Sequence, residues 1–249
     1  MIHSIGKIRI GISNGFIPGN KSTFPPEFRL SSRLHYYSQL FNTVEINSCF
    51  YKTPLHSTYE KWVAEVPGDF QFTLKLSKEI THDAALAADI SCMEKFLQAA
   101  SGTGSKKGCL LIQFPGKITI EHFTQVERLF EQLQNIDPFG EWRRAIEFRH
   151  ESWYIAETTE LFNEFNATMV IHDFSKAKQT TDKCNANFVY MRLHGPVGNY
   201  RDSYSIKFLE EKKSQIRSIT SSGKDAYVYF NNTIGNAFEN ARLLQSMLS

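Results

Sequence analysis

The stretch "TVEINSCFYKTPLHSTYEKWVAEVPGDFQFTLKL", residues 43–76, decides the fold. "TVEIN" (43–47) and "FQFTLKL" (70–76) are short runs rich in β-branched and aromatic residues, the composition of strands. Between them "STYEKWVAEV" (57–66) opens with Ser57 and Glu60 at capping-box spacing and is closed by Pro67-Gly68, which predicts a helix. Strand, helix and strand in this order form a βαβ unit, whose two strands lie parallel.

The same unit recurs along the chain. Strands are predicted at "KIRIGIS" (7–13), "CLLIQF" (109–114), "RAIEFR" (144–149), "TMVIHD" (168–173), "FVYMRLHG" (188–195) and "AYVYFNN" (226–232). Helical spacing of apolar residues lies between them: Leu34, Tyr37, Leu40 and Phe41; Ile90, Met93, Phe96 and Leu97; Phe123, Val126, Leu129, Phe130 and Leu133. Further helices are expected around 157–166, across 205–219 and from about Gly235 to Met247. "GTGSKKG" (102–108) reads as a flexible loop and "QTTDKCNAN" (179–187) as a polar connection. Eight strands alternating with helices predict an α/β fold, a TIM-type (β/α)8 barrel of parallel strands, with residues 1–249 as a single domain. An open doubly wound sheet is the alternative, and eight repeats of the unit favour closure.

The chain of 249 residues has 41% hydrophobic and 22% charged residues, the balance of an ordinary globular protein. A net charge of +2 is too small to argue for nucleic acid. Cys49, Cys92, Cys109 and Cys184 are far apart and form no CxxC pair, which speaks against a local zinc site or a disulfide framework. The N-terminus has no long apolar core of a secretory signal, and no run approaches a membrane span, so a cytoplasmic protein is expected.

A barrel builds its site at the C-terminal ends of its strands. The predicted strands end in polar residues almost without exception: Ser13-Asn14, Glu45 and Asn47, Lys75 with Thr81-His82 beyond it, Gln113, Glu147 with Arg149 and His150, His172-Asp173, Arg192 with His194, and Asn231-Asn232. Alternation along a strand puts Glu45 with Asn47, Glu147 with Arg149, and Arg192 with His194 on shared faces. If those faces point inward, Glu45, Glu147 and Arg192 form a lower layer, and Asn47, Arg149 and His194 lie nearer the mouth. Glu45, Glu147, His82 and His194 are the candidate catalytic groups. Asn47, Tyr51, Lys75, Gln113, Arg149, Trp153, Arg192, Tyr204, Asn231 and Asn232 are the candidate substrate contacts, with Trp153-Tyr154, Tyr200 and Tyr204 at the rim. Gly235-Asn236 is a candidate anion site at the start of the last helix. Glu45, Glu147, Asp173, His172 and His194 would be the natural ligands of a divalent metal, yet no HExxH-type spacing fixes one, and carboxylates paired with Arg or Lys are the simpler reading.

The motifs "FNTVEINSCFY", "ITH", "LLIQFP", "AIEFRHESWY", "VYMRLHG" with downstream "YRDSYS", and "YVYFNN" with "GNAFENA" resemble the domain of unknown function 72 family, the YecE-like proteins, from first strand to last helix. The resemblance implies a single TIM-type barrel and no particular reaction. The first loop, "GISNGFI", carries Phe16 where the family commonly has Trp, and Ser77 and Glu151 stand where prolines are usual.

Three uses of the mouth follow. The first is an enzyme, of hydrolase or lyase type, acting on a small anionic, phosphorylated or sugar-like substrate; Lys75, Arg149 and Arg192 would bind the anion. The second is a non-catalytic ligand-binding barrel. The third is a nucleic-acid-processing barrel by architectural analogy with metal-dependent abasic-site endonucleases, which fold alone does not establish. No cofactor is required by the residues, a divalent metal stays open, and the sequence does not give an oligomeric state.

Overall fold

In the computed structural model, which describes residues 4–87, 89–173 and 184–249, the expected strands pair in parallel. They are β1 (Ile8–Ile12), β2 (Thr43–Ile46), β3 (Gln71–Lys75), β4 (Lys107–Phe114), β5 (Arg143–Phe148), β6 (Ala167–Met169), β7 (Ile171–His172), β8 (Phe188–Leu193) and β9 (Asp225–Phe230). Helices α1 (Arg33–Leu40), α2 (Ser48–Tyr51), α3 (His56–Ala64), α4 (Lys78–Thr81), α5 (Ile90–Ala100), α6 (Phe123–Ile136), α7 (Ala156–Glu164), α8 (Ile206–Ser221) and α9 (Ala237–Leu248) fill the connections.

Strands β2-β3-β4-β5-β6 form one run and β1-β9-β8-β7 another. Two seams join them. At the first, β6 and β7 are one passage of chain interrupted at Val170, whose N–H goes to Ile146 O at 2.7 Å. At the second, Ser13 and Glu45 make a parallel bridge, and Asn14 N–H donates to Glu45 O at 2.7 Å. The ring is that of a TIM-type (β/α)8 barrel. The predicted sixth strand, 168–173, is therefore real but broken, because its first half serves β5 and its second half β8.

Side chains facing into the ring are stacked in layers. Cys109, Leu111, Ala145, Val170, Phe188, Tyr190, Tyr227 and Tyr229 make an apolar plug in the interior. Tyr229 ties three strands together: its hydroxyl lies 2.6 Å from Thr43 Oγ1 and 2.7 Å from Thr73 Oγ1. Thr43 Oγ1 donates to Gln71 O and Thr73 Oγ1 accepts from Cys109 N–H, so every polar group in this layer is used. The larger core lies outside the ring, where outward residues such as Leu110, Ile112, Phe114, Ile146 and Phe148 meet helix residues such as Val126, Phe130 and Phe162. With both faces covered, β4 reads as the near-continuous apolar run "CLLIQF".

Several local expectations differ from the structure. Helix α3 starts at His56 with Leu55 in the cap position and no side-chain cap, so Ser57 and Glu60 form no capping box. The segment "GTGSKKG" is not a loose loop: Ser101–Lys106 form 3-10 turns, Gly102 and Thr103 are buried, and a Cβ on Gly102 would meet His56 O at 2.5 Å. The last helix begins at Ala237 rather than Gly235. Most of the polar connection "QTTDKCNAN" lies outside the described residues. No helix among the described residues is long and apolar enough to cross a membrane.

Trp153 belongs to the outer core. It is fully buried, its ring stacks on Phe148 at 4.0 Å between centroids, and Nε1 donates to Ile118 O at 2.9 Å. Trp153→Ala is expected to cost about 3–5 kcal/mol in urea-denaturation midpoint and slope measurements. A loss below about 1 kcal/mol would contradict the core assignment, since only an exposed rim residue is so cheap to remove.

Candidate active site

The polar layer above the plug is organised by Arg192, which projects inward from β8 and is almost fully buried. Its Nη2 lies 3.0 Å from Glu45 Oε1 and its Nε 3.0 Å from Oε2, while Nη1 reaches Glu147 Oε2 at 3.0 Å. One guanidinium thus spans the ring from β2 to β5. Glu45 also accepts from Ser13 Oγ at 2.6 Å, Tyr190 OH at 2.6 Å and Asn47 Nδ2 at 3.0 Å. Glu147 is shared further, with Arg149 Nε at 2.5 Å and His194 Nε2 at 3.7 Å from Oε1.

These contacts confirm the layering expected from strand alternation. Glu45, Glu147 and Arg192 are the lower layer; Asn47, Arg149 and His194 rest on it. Burial opposes ionisation of both carboxyls, but the positive charges outweigh it: Arg192 and its hydrogen bonds at Glu45, and Arg149 and Arg192 at Glu147. Both stay ionised below the ordinary carboxylate value, Glu147 well below it. Burial works against Arg192 as well, and the two carboxylates more than offset it, holding its proton above the ordinary arginine value.

Lys75 is placed differently. It is the last residue of β3, its side chain is buried, and its Nζ donates to the neutral Gln113 Oε1 at 2.8 Å. The same Nζ lies 3.9 Å from the centroid of the Phe50 ring. Among the described residues no carboxylate is within ion-pair distance of it. Burial, reinforced by the Arg192 charge and only partly offset by Glu147 and Glu45, brings the Lys75 amine down to about 8. His82 stands behind the same aromatic wall, 4.8 Å from Phe50 between ring centroids, with Nδ1 2.8 Å from Thr81 Oγ1. Burial, then the charges of Lys75, Lys117 and Arg149, push His82 down to about 4, so it is neutral at physiological pH.

Histidines line the other side. His172 Nε2 lies 2.8 Å from Tyr154 OH, and that hydroxyl also lies 3.2 Å from Phe148 O. Asn231 Nδ2 meets His194 Nδ1 at 2.9 Å, which makes Nδ1 the acceptor and leaves the other ring nitrogen facing Glu147. Burial lowers both imidazoles below the ordinary histidine value. Among the described residues no group of His, Cys, Asp and Glu is arranged to hold a metal ion. Of the candidate ligand set, Glu45 and Glu147 are saturated by arginines and Asp173 takes the His194 N–H at 2.8 Å and the Tyr204 hydroxyl.

Four expected contacts lie elsewhere. Trp153 is in the core, as described above. Tyr204 is buried and fastens the chain after β8: its hydroxyl donates to Asp173 and accepts from Gly195 N–H. Asn232 points to the opposite face from Asn231 and donates to Asp202 O at 2.9 Å and Asn240 Oδ1 at 3.2 Å. The proposed anion site at Gly235-Asn236 is occupied by the chain itself, since those N–H groups donate to Asn232 O and Asp202 O. Tyr51 is 71% exposed, beside Phe50 and Lys78 on the rim. Cys49, beside the Glu45 motif, is an inert thiol: its Sγ–H is directed at Ile46 O and Lys75 O, and burial pushes it up to about 12. Tyr190 is a partner that the candidate residues lacked. Tyr190 was signalled by alternation, two residues before Arg192 on the same face.

Arg192→Met leaves two buried carboxylates without their shared cation and is expected to cost about 3–5 kcal/mol in urea unfolding at pH 7. The carboxyls also set an acid limit. Their folded values lie below the ordinary 4.5, so their contribution is complete above that pH and is lost as pH falls below it. Glu45→Gln should therefore flatten the acid limb of the wild-type stability profile. An unchanged acid limb would show that Glu45 is not held ionised.

Over residues 10–249 the chain matches the family described as "Protein of unknown function DUF72". The UPF0759 protein YunF of Bacillus subtilis (strain 168) is 25% identical over 260 residues, covering 91% of this chain and 90% of that protein. The crystal structure of a DUF72 family protein from Thermotoga maritima MSB8 superposes with a TM-score of 0.79 at 24% identity, over 97% of this chain and 99% of that one. A xylose isomerase domain containing protein from Salmonella typhimurium LT2 shares the fold at a TM-score of 0.59 and 14% identity, over 98% of each chain. The family match extends over nearly the whole chain, so this protein belongs to the DUF72 family.

Proposed function

We propose that the mouth of the barrel is the active site of an enzyme acting on a small anionic substrate, phosphorylated or sugar-like. The observation that carries this reading is Lys75, a buried cation whose direct partners are an amide oxygen and an aromatic face. A buried charge without a counter-charge is costly, and an anionic ligand removes that cost. Arg149 and Lys117 extend the positive potential toward the opening, where both act on His82. Asn47, Gln113 and Asn231 supply neutral donors and acceptors of the kind that read hydroxyl groups.

Glu45 and Glu147 act in this reading as fixed negative charges that aim Arg192. A carboxylate held below its ordinary value is a weaker base. His82 and His194, neutral imidazoles at the mouth, are the remaining groups that can pass a proton in this reading.

The test is calorimetric titration with glycerol 3-phosphate, fructose 6-phosphate and citrate as probes. At least one should bind at pH 7, and Lys75→Met should weaken it about tenfold or more, the worth of one charge-assisted hydrogen bond. Lys75 loses its proton near pH 8, so affinity should fall as pH rises through that value. Failure of all three probes, or equal binding by the variant, would refute the assignment of the anion site.

A further inference from the structure

The geometry at Lys75 supports more than anion binding. Among the described residues two lysines are buried, and they are partnered in different ways. Lys106 directs its Nζ at two backbone carbonyls, Val63 O at 2.8 Å and Val66 O at 2.6 Å, at the end of β4 remote from the mouth. Lys75 has one neutral acceptor and one aromatic face, at the end of the strand where barrels do their chemistry. The carboxylates nearest to it are already engaged by Arg192 and Arg149, so neither clamps the amine in a direct ion pair.

We infer that Lys75 is a Schiff-base-forming lysine, and that the substrate is a small aldehyde or ketone carrying a phosphate or carboxylate. This rests on the anion-binding reading of the same mouth and names its substrate class. In the unprotonated amine the Nζ lone pair attacks the carbonyl carbon, and the carbonyl π pair moves to oxygen. The carbinolamine so formed then loses its oxygen as water. That water takes one proton from Nζ and one from solvent as the nitrogen lone pair closes the C=N bond. One amine, one carbonyl compound and one proton thus give one iminium ion and one water.

The surroundings suit each stage. Burial and the Arg192 charge provide roughly two orders of magnitude more unprotonated amine at pH 7 than an ordinary lysine has. The iminium nitrogen is cationic while it keeps its proton, and the Glu147 and Glu45 charges that favour the protonated amine favour it too. Phe50 covers one side of the nitrogen, which shields the imine from water, and Gln113 Oε1 accepts from it. The positive groups Arg149 and Lys117 hold the anionic end of the substrate away from the reacting carbon.

The experiment is reductive trapping of the full-length protein with dihydroxyacetone phosphate, glyoxylate or pyruvate and sodium cyanoborohydride, followed by peptide mass spectrometry. At least one probe should leave a single reduced adduct on the peptide containing Lys75, in large excess over Lys78 and Lys106. Its rate should rise with pH through about 8. Lys75→Arg keeps the charge but cannot form an imine. It should abolish the adduct. No adduct with any of the three probes, or adducts spread evenly over surface lysines, would overturn the inference, and mapping on the wild-type chain decides this even if a variant folds poorly. Binding of glycerol 3-phosphate without any adduct would refute the imine alone. An adduct on Lys75 with no binding of glycerol 3-phosphate, fructose 6-phosphate or citrate would refute the anion site and leave the imine standing.

Discussion

The structure depends on one guanidinium. Arg192 is buried in the middle of the ring and is shared by carboxylates from β2 and β5, strands on different sides of the barrel. Removing ions of this kind from water costs several kcal/mol each, and the cost is offset only when every lone pair and proton is used. Here nearly every one is: Ser13, Asn47 and Tyr190 complete Glu45, and Arg149 and His194 surround Glu147. The same contacts fix the register of the mouth, because a slip of one residue in β2, β5 or β8 would turn a charge outward into the apolar layer under the helices.

This arrangement separates two tasks that the residue types alone do not distinguish. The carboxylates are engaged in holding the arginines. The lysine on β3 is left with an amide oxygen and an aromatic ring as its direct partners. Burial acts on all of these groups in the same direction, against charge. What differs is compensation, which is ample at Glu45, Glu147 and Arg192 and partial at Lys75.

Much of this was legible in the residues. Eight strand-like runs alternating with helical periodicity require a parallel sheet, and two-residue alternation places Glu45 with Asn47, Glu147 with Arg149 and Arg192 with His194 on inward faces. The expectations that went astray did so where local pattern is silent about the third dimension. Trp153 follows a strand end, where a rim residue would sit, but the turn Glu151–Trp153 folds its ring back onto Phe148. Asn232 could have been separated from Asn231 by the alternation that worked elsewhere, since neighbours in an extended segment face opposite ways. Tyr204 acts through a hydroxyl contact with Asp173 that no spacing encodes. The glycine-rich stretch at 102–108 has a loop's composition, yet it is buried because only glycine permits the close approach to His56 O. In the same way, the unusual state of Lys75 arises from what surrounds it in space.

The most direct measurement of this account is the titration of the Lys75 amine itself, followed by nuclear magnetic resonance on protein with isotopically labelled lysine and assigned through Lys75→Arg. The account predicts a midpoint near 8 in the free protein, moved upward by saturating glycerol 3-phosphate, because a bound anion favours the charged amine. A midpoint at the ordinary lysine value of about 10.4, unmoved by the anion, would contradict it.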